Sequence, residues 1–505
     1  MQAITEQVVQ PAAMAAIAKE SPGSGRAARI GLLLGPLVFA GMLLLPAPAG
    51  MNPEAKRVAA VALLMAMWWM TEALPLPATS LLPIVLFPVL GVMSTANATA
   101  PYANHVIFLY IGGFMIALAM QRWGLHRRIA LAIVEVVGTA PRQLVLGFML
   151  ATGFISAWLS NTATVMMMMP IGIAILSLLE GERRGPLGVA LMLGIAYAAS
   201  IGGVATLIGT PPNAIFAAAA AELVGRKVGF GQWMLVGVPT AAVLLLVAWF
   251  VLARVLFRLP GSSTDHRARE IVRRQRAALG RMSIPERAVA AVFALTALLW
   301  IVLDPKQIGD VTIPGITTYL PMITDSSIAV AGALVLFVFP ASMERRTFVL
   351  DWEWASKLPW GVLLLFGGGL SLARGFETSG LAAWIGDQVT NFSALPTIGL
   401  VAVTAILFVF LSELASNTAI ATMGMPVMAG VAAGVGADPL VLMAVATLAS
   451  SLAFMMPAGT PPNAIVFGTG RITIGQMARA GFWLNLITIG FLAMLAPLIA
   501  RVFGT

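Results

Sequence analysis

The chain has no cysteine, three histidines, and only 30 lysines and arginines with 21 aspartates and glutamates, 10% of 505 residues. Without cysteine there is no disulfide framework, thiolate metal site or cysteine nucleophile. His105, His126 and His266 are too few and too scattered for a histidine metal site, and redox chemistry has no groups to work with. Soluble domains carry about 25% charged residues, so charge this sparse could not keep so long a chain in water. What fills the sequence is apolar: 59% hydrophobic residues and a mean hydropathy of +0.93. The 49 glycines and 31 prolines would break soluble helices, yet both are more frequent in membrane helices. The expected fold class is an all-α polytopic membrane protein. The net charge of +9 needs no nucleic acid to explain it, because basic residues gather in cytoplasmic loops.

Residues 1–30 are polar, with Ser-Pro-Gly-Ser-Gly at 21–25 and with Lys19, Arg26 and Arg29. A secretory signal places its apolar core earlier than this chain does, near residue 31. We expect a disordered cytoplasmic tail (1–30), then an extra N-terminal helix and loop (31–56). About 20 apolar residues cross the hydrocarbon as a helix. Eleven spans are expected, at 31–46, 57–75, 78–93, 104–121, 187–222, 231–257, 287–303, 324–340, 356–376, 438–468 and 478–503. Two further apolar stretches, 141–180 and 397–433, are interrupted by polar clusters and read as re-entrant hairpins. Between Arg258 and Arg287 eight arginines face Asp265, Glu270 and Glu286, which makes 258–286 a basic cytoplasmic loop, read as a solvated connector. Arg127–Arg128, Arg183–Arg184 and Arg345–Arg346 join it on that face, with the N-terminus, in a cytoplasmic (inner or plasma) membrane. Lys56–Arg57 and Arg226–Lys227 fall outside, against the rule.

The chain also repeats itself. Ser-Ala-Trp-Leu-Ser-Asn-Thr-Ala at 156–163 returns as Ser-Glu-Leu-Ala-Ser-Asn-Thr-Ala at 412–419, a spacing of 256 shared by Pro170/Pro426, Gly112/Gly368 and Gly124/Gly380. Gly-Thr-Pro-Pro-Asn-Ala-Ile at 209–215 recurs unchanged at 459–465, and Trp69 pairs with Trp300 further upstream. The copies run 57–257 and 287–505. If the interrupted segment is a hairpin, five spans separate the copies and the second enters the membrane from the opposite side. Inverted repeats of this kind mark secondary transporters, whose sites lie at the repeat interface.

Backbone chemistry explains why the repeated residues belong at a site. Pro211–Pro212 and Pro461–Pro462 remove amide donors and must interrupt their helices. Irregular backbone inside a membrane is tolerated only where protein or a water-filled cavity satisfies it. Broken helices aim N-termini at anions and free carbonyls at cations. Ser160-Asn161-Thr162 and Ser416-Asn417-Thr418 suit hairpin tips; their oxygens are hard ligands for sodium, and their amide and hydroxyl hydrogens can donate to a carboxylate. Met166–Met169 reads as packing, and Gly112–Gly113 and Gly367–Gly369 as close helix contacts. Glu413, where the first copy has Ala157, reads as structural, for example paired with Arg374; the alternative is that it offsets cation charge. Glu72 and Glu135 read as interfacial.

The paired Ser-Asn-Thr and Thr-Pro-Pro motifs resemble the divalent anion/sodium symporter family of di- and tricarboxylate carriers, over roughly residues 55–500. The resemblance implies a homodimer with a scaffold domain and an elevator-type transport domain. It implies one sodium site from Ser156, Ser160, Asn161 and Gly209, and a second from Ser412, Ala415, Asn417 and Gly459. Position 412 is threonine in some relatives; serine keeps the hydroxyl. Substrate carboxylates would meet Asn161, Thr162, Asn417 and Thr418, with Thr210, Pro211, Thr460 and Pro461 lining the pocket. The implied function is sodium-coupled symport of C4-dicarboxylates such as succinate, malate and fumarate, with sodium co-transported and no organic cofactor. Sodium-independent exchange, and citrate or sulfate as cargo, remain alternatives. No histidine lies near either motif, so an intramembrane enzyme is not expected.

Overall fold

Prolines and glycines decide where the apolar runs become helices and where they stop. The computed structural model describes residues 25–179, 185–261, 266–308, 311–344, 346–390 and 395–503. The expected tail lies outside these up to residue 24, but α1 (Arg26–Leu44) begins within the stretch assigned to it. Only Ala28, Gly31 and Gly35 of α1 are buried; Gly31 and Gly35 lie against Thr71 and Trp68 of α2 (Pro53–Thr71). Leu32, Leu33, Leu34 and Leu37 face outward, an apolar face this broad being suited to lipid.

Two short helices at Leu76–Thr79 and α3 (Leu82–Val89) replace the expected span 78–93, because Pro77, Pro83 and Pro88 fragment it. Next come α4 (His105–Arg122), α5 (Leu125–Val137), α6 (Pro141–Ser156), α7 (Asn161–Leu179), α8 (Pro186–Gly203), α9 (Pro211–Val224) and α10 (Phe230–Phe250). The basic stretch contains α11 (His266–Ala278), followed by α12 (Ile284–Val302), α13 (Asp325–Val338) and α14 (Trp360–Thr378). The chain closes with α15 (Leu381–Gln388), α16 (Thr397–Leu414), α17 (Asn417–Val435), α18 (Pro439–Ser451), α19 (Pro461–Gly468) and α20 (Ile474–Phe503). The strands among the described residues form two small antiparallel hairpins, β1 (Lys306–Ile308) with β2 (Val311–Ile313) and β3 (Pro340–Ser342) with β4 (Thr347–Phe348). Eight helices among the described residues are long and apolar enough to cross a membrane, and α13, α18 and part of α7 are shorter apolar helices. The protein is an all-α polytopic membrane protein; the eight long helices include both arms of the second hairpin, and the expected spans 57–75, 78–93, 324–340, 356–376 and 438–468 are not among them.

The two copies match in backbone detail. Gly124 and Gly380, at φ +74° and +76°, carry α4 into α5 and α14 into α15 through the left-handed turn that glycine permits. Thr210 and Thr460 are extended at φ −140° and −143°, and each caps a helix whose first residues are the proline pair.

Both interrupted segments are helical hairpins. Gly194 and Gly202 of α8 lie against Met149 and Gly153 of α6, so these two helices run in parallel. Gly203 and Met192 lie against Asn161 and Gly172, so α7 runs back the other way. In the second copy Thr404 faces Met428 and Phe408 faces Gly424, which makes α16 and α17 antiparallel.

The copies interlock. Gly112 of α4 lies against the backbone of Ala329 in α13, and Gly368 of α14 against Ser80, so each copy's glycine helix packs on the other copy. Tyr110 and Phe366, equivalent residues, meet edge to face at 5.0 Å. α7 packs on α19, and α17 on α9. Met168 and Met169 are buried in the core, whereas Met166 is exposed.

The basic stretch is more than a solvated connector. α11 docks on α5, where Arg276 pairs with Glu135. Arg128 of α5 holds Glu286 at 2.5 Å and donates to the carbonyls of Leu279 and Gly280. Residues 262–265, Arg183–Arg184 and Arg345 lie outside the described residues.

Candidate functional site: two oxygen clusters at broken helices

α8 cannot continue into α9 because Pro211 and Pro212 lack amide protons, and the segment between them leaves carbonyls without helical donors. Asn213 answers part of this need: its Nδ2 donates to Gly203 O at 3.1 Å and Thr206 O at 2.7 Å. The second copy repeats the clamp, with Asn463 Nδ2 donating to Ala453 O at 3.4 Å and Met456 O at 3.1 Å. Tyr110 Oη lies 2.7 Å from Leu207 O and 2.6 Å from Thr210 O, a brace that Phe366 cannot supply in the second copy. The asparagine lies inside the repeated heptapeptide, which was the available signal for it; nothing near Tyr110 in sequence announces its partners a hundred residues on.

The tip of the first hairpin docks onto this broken segment. Ser156 is fully buried, and its Oγ lies 2.8 Å from Asn161 Oδ1 and 2.7 Å from Ala199 O. One hydroxyl proton cannot serve both acceptors, so three oxygens crowd together with a single hydrogen. Ala157 O accepts from Thr206 Oγ1 and faces Gly209, where an added Cβ would stand 3.0 Å from that carbonyl. Ser156, Asn161 and Gly209 are thus brought together around carbonyl oxygens. Ser160 sits at the start of α7, where its Oγ accepts from Ala163 N at 3.3 Å.

The second tip differs. Ser412 is fully buried, and neither its Oγ nor Asn417 Oδ1 has a hydrogen-bond partner among the described residues. Ala415 is buried and extended, at φ −146°. Gly459 faces Glu413, whose Oε2 would stand 3.0 Å from an added Cβ. Glu413 does not pair with Arg374, which instead faces Glu222 at 3.7 Å. Its Oε1 accepts from Phe454 N (2.6 Å), Met455 N (2.8 Å) and Asn485 Nδ2 (2.8 Å), and its Oε2 from Met456 N (2.9 Å). The carboxylate binds the backbone of the broken helix instead, and sequence spacing gave no sign of those partners.

Of the residues expected to meet substrate, Thr418 opens on a cavity of about 410 Å³ walled by Glu72, Pro75, Pro77, Gly361 and Leu365. Thr162 and Pro211 are half-buried, and Pro461 is exposed. Thr210 and Thr460 are only 4% exposed, so their hydroxyls lie behind the tips; Thr460 Oγ1 accepts from Asn463 N at 3.3 Å. Neither set of hydrogen-bond partners includes a lysine or arginine among the described residues. Two buried clusters of hydroxyl, amide and carbonyl oxygens, the second beside the Glu413 carboxylate, each at the meeting of a hairpin tip and a broken helix, suit monovalent hard cations better than multivalent metals. The N-termini of α7 and α17 suit an anion beside them; α9 and α19, which open on proline pairs without amide protons, add only their helix dipoles.

The model of the sodium:sulfate symporter transmembrane region matches residues 27–504. The chain is 43% identical over 474 residues to the sodium-dependent dicarboxylate transporter SdcS of Staphylococcus saprophyticus, covering 91% of this chain and 89% of that protein. It is 44% identical to the SdcS of Staphylococcus aureus strain RF122, with 91% and 88% covered. Among solved structures, its fold is similar to the Alcanivorax borkumensis YdaH transporter (TM-score 0.57, 16% identity, 81% of this chain and 87% of that one). The Neisseria gonorrhoeae MtrF structure is equally similar, at TM-score 0.57 and 16% identity over 95% and 96% of the two chains. At such low identity those two structures speak to fold alone. The extent of the family match and the identity to two carriers over nine-tenths of the chain lead to one statement: this protein belongs to the sodium:sulfate symporter family of membrane transporters and is not an enzyme.

Proposed function

We propose that the protein is a sodium-coupled symporter that brings C4-dicarboxylates such as succinate, malate and fumarate into the cell. The observation that carries this reading is the pair of buried oxygen clusters, one per copy, at matched junctions of hairpin tip and broken helix. Sodium enters the clusters first, drawing Ser156, Asn161 and the carbonyls near Gly209 together at one tip, and Ser412, Asn417 and the backbone near Gly459 at the other. The dianion then meets the amides and hydroxyls of Asn161, Thr162, Asn417 and Thr418, its charge offset by helix ends and bound sodium because no lysine or arginine among the described residues partners these groups. Coupling is reciprocal: sodium raises affinity for the dianion by the factor that the dianion raises affinity for sodium. The relatives' name, sodium-dependent dicarboxylate transporter, favours a dicarboxylate over the sulfate of the family description.

Transport in this reading is alternating access between inverted copies, with the hairpins and helices α8–α10 and α18–α20 moving as an elevator against a scaffold that also holds a homodimer. Its support is the interlocked packing of α4 on α13 and of α14 on Ser80, beside hairpins that pack on α5 in the first copy and α15 in the second. The test is radiolabelled succinate uptake into proteoliposomes, with external sodium present or replaced by choline or potassium. Sodium-dependent accumulation is expected; uptake that ignores sodium and requires internal dicarboxylate would mean exchange and remove the cation-site reading.

A further inference from the structure

The two copies are not chemically equivalent at their broken helices. Gly237 of α10 packs against the carbonyls of Val204 and Ala205, and Gly481 of α20 against Phe454 and Met455, which aligns α10 with α20. In that alignment Glu413 and Asn485 occupy the places of Ala157 and Ala241. Two alanines in one copy are a hydrogen-bonded Glu–Asn pair in the other, both buried, with Asn485 fully so.

The consequence is visible in the backbone. In the first copy, Val204 N and Ala205 N donate to Ile201 O and Gly202 O, so helical turns run on past the end of α8. In the second copy, α18 stops at Ser451, and the amides of Phe454, Met455 and Met456 turn to the Glu413 carboxylate instead. The carboxylate forms no ion pair with lysine or arginine among the described residues, so its charge is met by amide dipoles alone. It stands beside Gly459, in the same tip as the unpartnered oxygens of Ser412 and Asn417. The first cluster has no such charge.

We propose that Glu413, braced by Asn485, is the positioning residue of the second cation site alone: it holds segment 454–456 open and lends that site a full negative charge. The two sites are therefore unequal, with sodium held more tightly at the second. This inference rests on the reading of the clusters as sodium sites.

The test uses purified full-length protein and two readouts. One is sodium-dependent thermal stabilisation in detergent without substrate, with choline as control; the other is the sodium activation curve of succinate uptake at saturating succinate. Glu413→Gln keeps the shape but removes the charge and faces an amide donor with another donor. The sodium concentration for half-maximal stabilisation is expected to rise tenfold or more, since at an effective dielectric of about 20 one unit charge gives a factor of about ten even from about 12 Å. The succinate KM at saturating sodium is expected to change less than about twofold, because Glu413 touches no expected substrate ligand. Asn485→Ala, which keeps the charge but frees it, is expected to give a smaller rise, and Glu413→Asp to recover part of the affinity. A purely structural role would lower stability or maximal rate at every sodium concentration without moving the half-point. Unmoved half-points in Glu413→Gln overturn the inference, and if that variant does not fold, an unmoved half-point in Asn485→Ala does so. A wild-type protein without any sodium response removes the transport reading itself, which is a different failure.

Discussion

Asn161 and Asn417 show how much hangs on one side chain when the site around it is built mainly from neutral oxygens. Each opens a helix and offers one oxygen toward its cluster; Asn161 Oδ1 lies 2.8 Å from Ser156 Oγ, and Asn417 Oδ1 has no partner among the described residues. Replacing either by alanine removes a cation ligand and a substrate donor while leaving the apolar helices unchanged. Sodium-dependent succinate uptake is expected to fall to background in Asn161→Ala and in Asn417→Ala, with protein levels in the membrane unchanged by immunoblot. Retained uptake would sink the site assignment. Asn213 and Asn463 predict the opposite pattern. Their amides bind protein carbonyls, so Asn213→Ala takes the side-chain donor from Gly203 O and Thr206 O, the latter keeping Gly209 N, and is expected to cost about 1–3 kcal/mol of stability, read as a lowered Tm.

Close packing of elements leaves little room for added atoms. Gly202 of α8 crosses Gly153 of α6 so closely that an added Cβ would overlap the Gly153 carbonyl. Gly202→Ala is therefore expected to destabilise by about 1–3 kcal/mol, as overpacking of a tight core does, with the loss seen by thermal denaturation in detergent. Gly280→Ala serves as a surface comparison, since nothing stands within 4 Å of it; its cost arises from φ +60° alone. The same scale explains what the sequence made legible. Proline pairs and repeated Ser-Asn-Thr runs disclosed the broken helices and hairpin tips, because each acts through its own backbone. The glycine runs at 112–113 and 367–369 disclosed close contacts for the same reason. Glu413 resisted, since its partners at 454–456 and Asn485 are brought near only by the fold. The docking of α11 on α5 resisted likewise: arginines that suggest solvent also find Glu135 and two carbonyls across 141 to 152 residues of chain.

For the whole molecule the decisive question is the relative orientation of the two copies. A hairpin returns the chain to the side it came from, so the hairpins leave an odd number of crossings between equivalent elements. On the proposed reading inversion follows, and with it a site that faces each side of the membrane in turn. The prediction concerns two loops at equivalent positions. Lys227, between α9 and α10, and Ile474, at the start of α20 after α19, are both exposed. In inverted copies these loops lie on opposite faces; in parallel copies they share one. Because the chain has no cysteine, Lys227→Cys and Ile474→Cys each introduce the sole thiol, and a membrane-impermeant maleimide reports its side without background. Labelling of intact cells is expected at position 227 and, at position 474, only after permeabilisation. Lys227 also stands 4.0 Å from Asp304, a contact between the α9–α10 loop and the end of α12. Such an exposed pair contributes little to stability, so the substitution is expected to leave the fold intact and the labelling pattern interpretable. Equal labelling of both thiols from one side would mean parallel copies, and alternating access would then have to be built without inversion, from tips that open toward the same face.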